Sequence, residues 1–232
     1  MKGKITKILF MIIVAGLLTC SFYLDKPKDQ KVVSQNTHIT YSQLLNYVNQ
    51  FECGDIINLE HTHYLSSFAI PGKWKHSLIY IGTKQQFTSV YNSNQKYYQE
   101  ILKYYKLGNE ILIVDANSTG VKIRELKQMA NLENDSFLKS FIVYRFTIDS
   151  ALKCQYINGA MDYLGTPYDY AMKTFDDQAL YCSELIYYAL LKINLKIDQV
   201  STVFNQKMIT PSDLGHFLEK QNNVKIVMEI DS

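Results

Sequence analysis

A cysteine placed where a helix begins constrains this chain more than any other feature. The stretch Tyr181-Cys-Ser-Glu-Leu-Ile-Tyr-Tyr-Ala-Leu190 repeats its apolar residues, Leu185, Ile186, Ala189 and Leu190, at helical spacing. Cys182 falls at the predicted first turn. A helix start presents unpaired N–H groups and the positive end of the helix dipole. Both favour a thiolate over a thiol, so Cys182 has the setting of an activated nucleophile. The competing reading is a small buried hydrophobe, the usual state of a free cysteine. Ahead of the helix stands Leu164-Gly-Thr-Pro-Tyr-Asp-Tyr170, a glycine–proline turn that ends one element before the next starts.

The remaining length permits one core. The chain has 232 residues, 47% hydrophobic and 20% charged, which is a globular composition. Its net charge of +2 is made of interspersed signs. A nucleic-acid surface would need a basic stripe, and none is present, so no nucleic-acid partner is expected.

The N-terminus reads as an export segment over residues 1–20. Lys2, Lys4 and Lys7 precede an apolar run over residues 8–18. That run is shorter than the about 20 residues of a comfortable membrane span. It ends Leu17-Leu-Thr-Cys20, which resembles a bacterial lipobox with Cys20 as the lipidated residue, although Thr19 departs from the usual small residue. An uncleaved anchor or plain signal is one alternative, and a cytoplasmic protein another. All but the last place the protein outside the cytoplasmic membrane, with the membrane as a partner through the N-terminal anchor. A polar tether follows over residues 21–39, and one domain over 40–232. Of the four cysteines, Cys53 and Cys154 remain for the core, as two separate thiols or as a pair.

Within the domain, a helix is expected from Thr40 and a strand over residues 56–59. A loop follows over 61–75, then a strand over 76–82 ending at Gly82. Residues 95–106 read as helical. Strands are expected over 111–114, 121–124 and 141–147. Asp149 caps a helix running to Leu164. Thr210-Pro-Ser-Asp213 opens a short helix, and residues 224–230 close the chain as a strand. Strands and helices are grouped, which implies an α+β fold with a mostly antiparallel sheet packed against helices.

A thiolate nucleophile needs a base, and the base needs an orienting group. His76 opens one strand and Asp115 ends another. Neighbouring strands lie about 4.8 Å apart, so imidazole and carboxylate can meet at the sheet's end. Each has an ordinary alternative: His76 as a satisfied polar residue, Asp115 as the cap of the following turn.

The ordered set Gly54-Asp55-Ile-Ile, Trp74-Lys-His76-Ser-Leu-Ile-Tyr-Ile-Gly82, Val114-Asp115-Ala116, Leu164-Gly-Thr-Pro-Tyr168-Asp, Tyr181-Cys182-Ser-Glu184-Leu and Thr210-Pro-Ser-Asp213-Leu resembles the permuted papain-like amidohydrolases of the YiiX/YaeF type. These are relatives of the NlpC-type cell-wall cysteine peptidases. The resemblance spans most of residues 53–215. It implies a circularly permuted papain-like fold, with Cys182 as nucleophile, His76 as general base and Asp115 at the third position, where such relatives often carry Glu. It implies that Tyr168 helps to hold the oxyanion, beside the backbone N–H of Cys182. Trp74 is expected to line the cleft as a substrate contact, with core packing as its alternative.

The expected activity is hydrolysis of amide or ester bonds through an acyl-enzyme on Cys182, without cofactor. The expected substrate is a cell-envelope peptide, an N-acyl compound or a lipid-like molecule. A thioesterase or acyltransferase using the same thiol is one alternative, and a catalytically silent ligand-binding envelope lipoprotein is another. His61-Thr-His63 has metal-like residue types but lacks a third clear ligand, so no metal is expected.

Overall fold

The computed structural model describes residues 38–62, 70–130, 137–172, 176–203 and 205–232. The export segment with Cys20, the tether up to residue 37, and His63 lie outside the described residues.

The fold is built on a six-stranded antiparallel sheet. Its strands are β1 (Ile56–His61), β2 (His76–Gly82), β3 (Leu112–Asn117), β4 (Gly120–Glu125), β5 (Leu138–Phe146) and β8 (Val224–Asp231), in the order β4-β3-β2-β1-β5-β8. The inner strands are buried along nearly their whole length, so they carry apolar side chains on both faces. One face holds Ile79, Ile81, Val114 and Ile142 against the helices α4 (Ser150–Met161) and α5 (Cys182–Leu191). The other holds Leu78, Tyr80, Ile113 and Phe141 beneath α1 (Tyr41–Leu45).

Local chemistry sets the helix ends. Asp149 caps α4 by accepting the Leu152 N–H at 2.8 Å. Thr40, Thr83 and Thr210 each form a reciprocal capping box with the residue three positions on. The last box opens α6 (Pro211–Glu219), with Pro211 in its first turn.

Several boundaries differ from the sequence reading. Residues 95–106 narrow to α3 (Tyr98–Leu102), because Tyr104 and Tyr105 close turns instead of continuing the helix. A further helix, α2 (Lys84–Val90), has a single buried residue, Phe87, and so shows no apolar period; its capping box supplies the start signal. The capped helix α4 stops at Met161, and turns carry the chain on to Gly165. A two-stranded hairpin, β6 (Ser201–Val203) with β7 (Gln206–Met208), also escaped the sequence reading; its strands are too short to show alternation. Cys53 and Cys154 are separate buried thiols.

Candidate active site

Cys182 is the first residue of α5, and its N-cap, Tyr181, offers no side-chain cap. The sulfur therefore stands where the helix leaves N–H groups to be satisfied. Leu185, Ile186, Ala189 and Leu190 fix the helix in the core, each with no exposed surface. Cys182 itself is 4% exposed.

His76 begins β2 and pairs with Leu59 of β1. Its Nε2 lies 2.9 Å from Asp115 Oδ2. The same imidazole makes a side-chain hydrogen bond with Cys182, and Nε2 being engaged leaves Nδ1 for the sulfur. The three residues expected from the sequence are thus brought together. Asp115 sits inside β3 and not at its end, because the strand runs on to Asn117.

The electrostatics bind sulfur and ring into one unit. Burial pushes the Cys182 thiol up. The His76 charge, the His76 hydrogen bond and the backbone N–H groups of Ser77 and Ser183 outweigh it, so the thiol lies below its ordinary range. Burial pulls His76 down, but the sulfur and the Asp115 carboxylate raise it to about 10. Those opposed shifts favour a thiolate–imidazolium pair at neutral pH. The sulfur carries its charge above the lowered Cys182 value, and the ring carries its own below about pH 10.

The sequence reading missed Arg124. Its Nη1 donates to Asp115 Oδ1 at 2.5 Å, so each carboxylate oxygen has its own partner. Its Nη2 donates to Asn117 Oδ1 at 2.6 Å, Thr119 Oγ1 at 2.7 Å and the Gly120 carbonyl at 2.9 Å. The guanidinium thus ties the carboxylate to the β3–β4 turn. The available signal was the alternation of Gly120-Val-Lys-Ile-Arg-Glu125. It places a cation two residues along from the Lys122 that faces Asp115.

Tyr168 lies half-buried against Ile70, Tyr181 and Met208. Burial, and then the neighbouring Cys182 sulfur, raise its phenol above the usual value, so the hydroxyl stays protonated beside the thiolate. Its loop is held by backbone bonds. Val121 N–H donates to the Thr166 carbonyl and Gly165 N–H to the Val121 carbonyl, both at 2.9 Å. Leu180 N–H donates to the Pro167 carbonyl, also at 2.9 Å, fastening the loop to the approach to α5. This seam requires Gly120, whose φ is +86° and whose added Cβ would stand 2.5 Å from the Thr166 carbonyl. Gly120→Ala is therefore expected to push the Tyr168 loop outward and cost about 1–2 kcal/mol of stability from the backbone conformation alone. Urea unfolding midpoints measure it.

Trp74 is buried at 6% exposure, with Lys73 Nζ 4.6 Å above its ring. Its surface borders a separate cavity of about 260 Å³, shared with Ser212, His216, Glu219 and Glu229. Glu184, third in α5, is fully buried close to Tyr163, Tyr187 and Tyr188. His61 belongs to β1 and not to the following loop, and its ring stacks against that of His76.

Among the described residues, no group of three or more His, Cys, Asp or Glu side chains is arranged to hold a metal ion. No helix among them is long and apolar enough to cross a membrane.

A search of curated proteins finds no match to the sequence. Among solved structures, the chain is similar to one described as metalloprotein yiiX from Escherichia coli O157:H7. The two are 14% identical with a TM-score of 0.55, over 79% of this chain and 99% of that one. At that identity the likeness shows the fold. The sequence model of the permuted papain-like amidase enzymes, YaeF/YiiX, C92 family, matches residues 50–227. The chain belongs to that family.

Proposed function

We propose that this protein is a cysteine-dependent hydrolase of amide bonds, working through an acyl-enzyme on Cys182. The single observation that carries the reading is the hydrogen-bonded run from Asp115 through His76 to a cysteine at a helix start. Membership of an amidase family supports it.

The chemistry follows from the geometry. His76 holds the proton given up by Cys182, and the thiolate attacks the substrate carbonyl. A carbon–sulfur bond forms as the carbonyl π pair moves onto oxygen. Tyr168 and the backbone N–H of Cys182 are the donors to that oxyanion. The intermediate collapses, the carbon–nitrogen bond breaks, and His76 gives its proton to the departing amine. Water, deprotonated by His76, then cleaves the thioester and restores the thiol. Asp115 keeps the ring in one tautomer and orientation throughout.

The proposed substrates are cell-envelope peptides or N-acyl compounds. The proposed location is the cell envelope, with anchorage through Cys20. Incubating the protein with envelope extract and searching for an acyl adduct by mass spectrometry tests both nucleophile and substrate. An adduct on Cys182 is expected. Acylation elsewhere, with Cys182 free, would sink the reading.

Two further outcomes are expected. Tyr168→Phe keeps the ring and removes one oxyanion donor, lowering kcat about a hundredfold, or about 3 kcal/mol of barrier. Steady-state kinetics with KM nearly unchanged would check it. Hydrolysis should also fall as pH rises through about 10, where His76 loses the proton it must give the leaving group. A pH–rate profile reads this directly.

A further inference from the structure

His61 and His76 end and begin successive strands, and their rings lie nearly parallel, with centroids 6.1 Å apart and planes 22° apart. Three observations set His61 apart from a bystander. First, the β1–β5 register slips between Glu60 and His61: Glu60 faces Ser140, and His61 faces Leu138. Such bulges re-aim a side chain, often beside an active site. Second, the ring is fixed on two further sides. Phe137 meets it edge-on at 5.0 Å and 80°, and it forms a hydrogen bond with the backbone of Met129. Third, it is buried at 7% exposure, and burial followed by the His76 charge drives it down to about 3, so it remains neutral beside an imidazolium. A second cation there would repel the first in a poorly solvated space.

The torsion about the Cβ–Cγ bond of a histidine is soft. Asp115 and Cys182 engage His76 at its edge, through its two nitrogens. Neither presses on the face of the ring. We propose that His61 is a positioning residue: its flat ring, stacked on that of His76, holds the imidazole in the plane joining Asp115 to Cys182. This rests on the reading of Cys182 and His76 as the working pair.

The groups facing His76 are His61 from β1, Asp115 from β3 and Cys182 from α5. Tyr168 stands beside the sulfur. The test uses the full chain and iodoacetamide, with alkylation of Cys182 followed by peptide mass spectrometry across pH. His61→Phe and His61→Leu lose the Met129 hydrogen bond equally and differ in the flat ring. His61→Phe is expected to keep the wild-type profile within about twofold. His61→Leu should shift its midpoint up by about one pH unit, slowing alkylation about tenfold at pH values below the wild-type midpoint. Identical profiles for the two variants would overturn the proposal. A wild-type Cys182 that reacts as an ordinary thiol would instead overturn the hydrolase reading, so the two failures are distinguishable.

Discussion

Cys182→Ala is expected to lower hydrolysis by about 10⁶-fold, to the residue of activity that binding and oxyanion stabilisation give without a nucleophile. The same variant should lose no folding cooperativity. The side chain removed is small, and α5 is anchored by Leu185, Ile186 and Leu190 further along. It should be somewhat less stable at neutral pH, because the fold lowers the Cys182 pKa and that stabilising pairing of thiolate with the His76 ring is lost. His76 should respond as well. With the sulfur gone, one of the two causes that raise its pKa disappears, so the imidazole should titrate below the wild-type value of about 10. Nuclear magnetic resonance titration of the His76 ring measures this, and an unchanged value would contradict the paired arrangement. Activity within tenfold of wild type would reject Cys182 as nucleophile.

Arg124→Leu is the second large effect. Asp115 is completely buried, and Arg124 is its cationic partner, itself 6% exposed. Removing the guanidinium leaves Asp115 bonded only to His76, whose charge the Cys182 thiolate already balances, and leaves Asn117, Thr119 and the Gly120 carbonyl without that donor. Breaking a buried pair in this way typically costs about 3–5 kcal/mol. The cost should appear as a lower urea midpoint. Adding Asp115→Asn to the same chain should recover part of it, because the uncompensated charge is then gone. Activity should not recover, since Asn cannot hold the His76 tautomer as a carboxylate does; that loss typically runs to about 10⁴-fold. Arg124→Lys is not a mild change here, because an ammonium cannot span the carboxylate and the turn together.

The sequence revealed those parts of the site whose side chains announce a local event. Cys182 opens a helix with a clean apolar period, His76 opens an alternating strand, and both lie where they were read to lie. The antiparallel sheet followed from the grouping of its strands. What stayed hidden depends on contacts between distant segments. Arg124 has no local signal of its role, because the hairpin register sets it diagonally from Asp115, which directly faces Lys122. His61 looked like a loop residue because the strand's alternation gives no sign of a bulge before its last residue. The helix α2 was invisible to a search for apolar period because polar residues surround its one buried side chain.

The β3–β4 hairpin has a second role that follows from the backbone seam along Gly120 and Val121. It bears the carboxylate bonded to His76, and it also bears the edge on which the tyrosine loop rests. Tyr170 reaches across to the Ser118 carbonyl at 2.9 Å, adding a strap at the tip. In the proposed mechanism, acid–base alignment and oxyanion support therefore share one lever. Any force that tilts this hairpin disturbs both halves of the reaction at once, so catalysis here should fail abruptly under mechanical or thermal loosening of the tip, ahead of global unfolding.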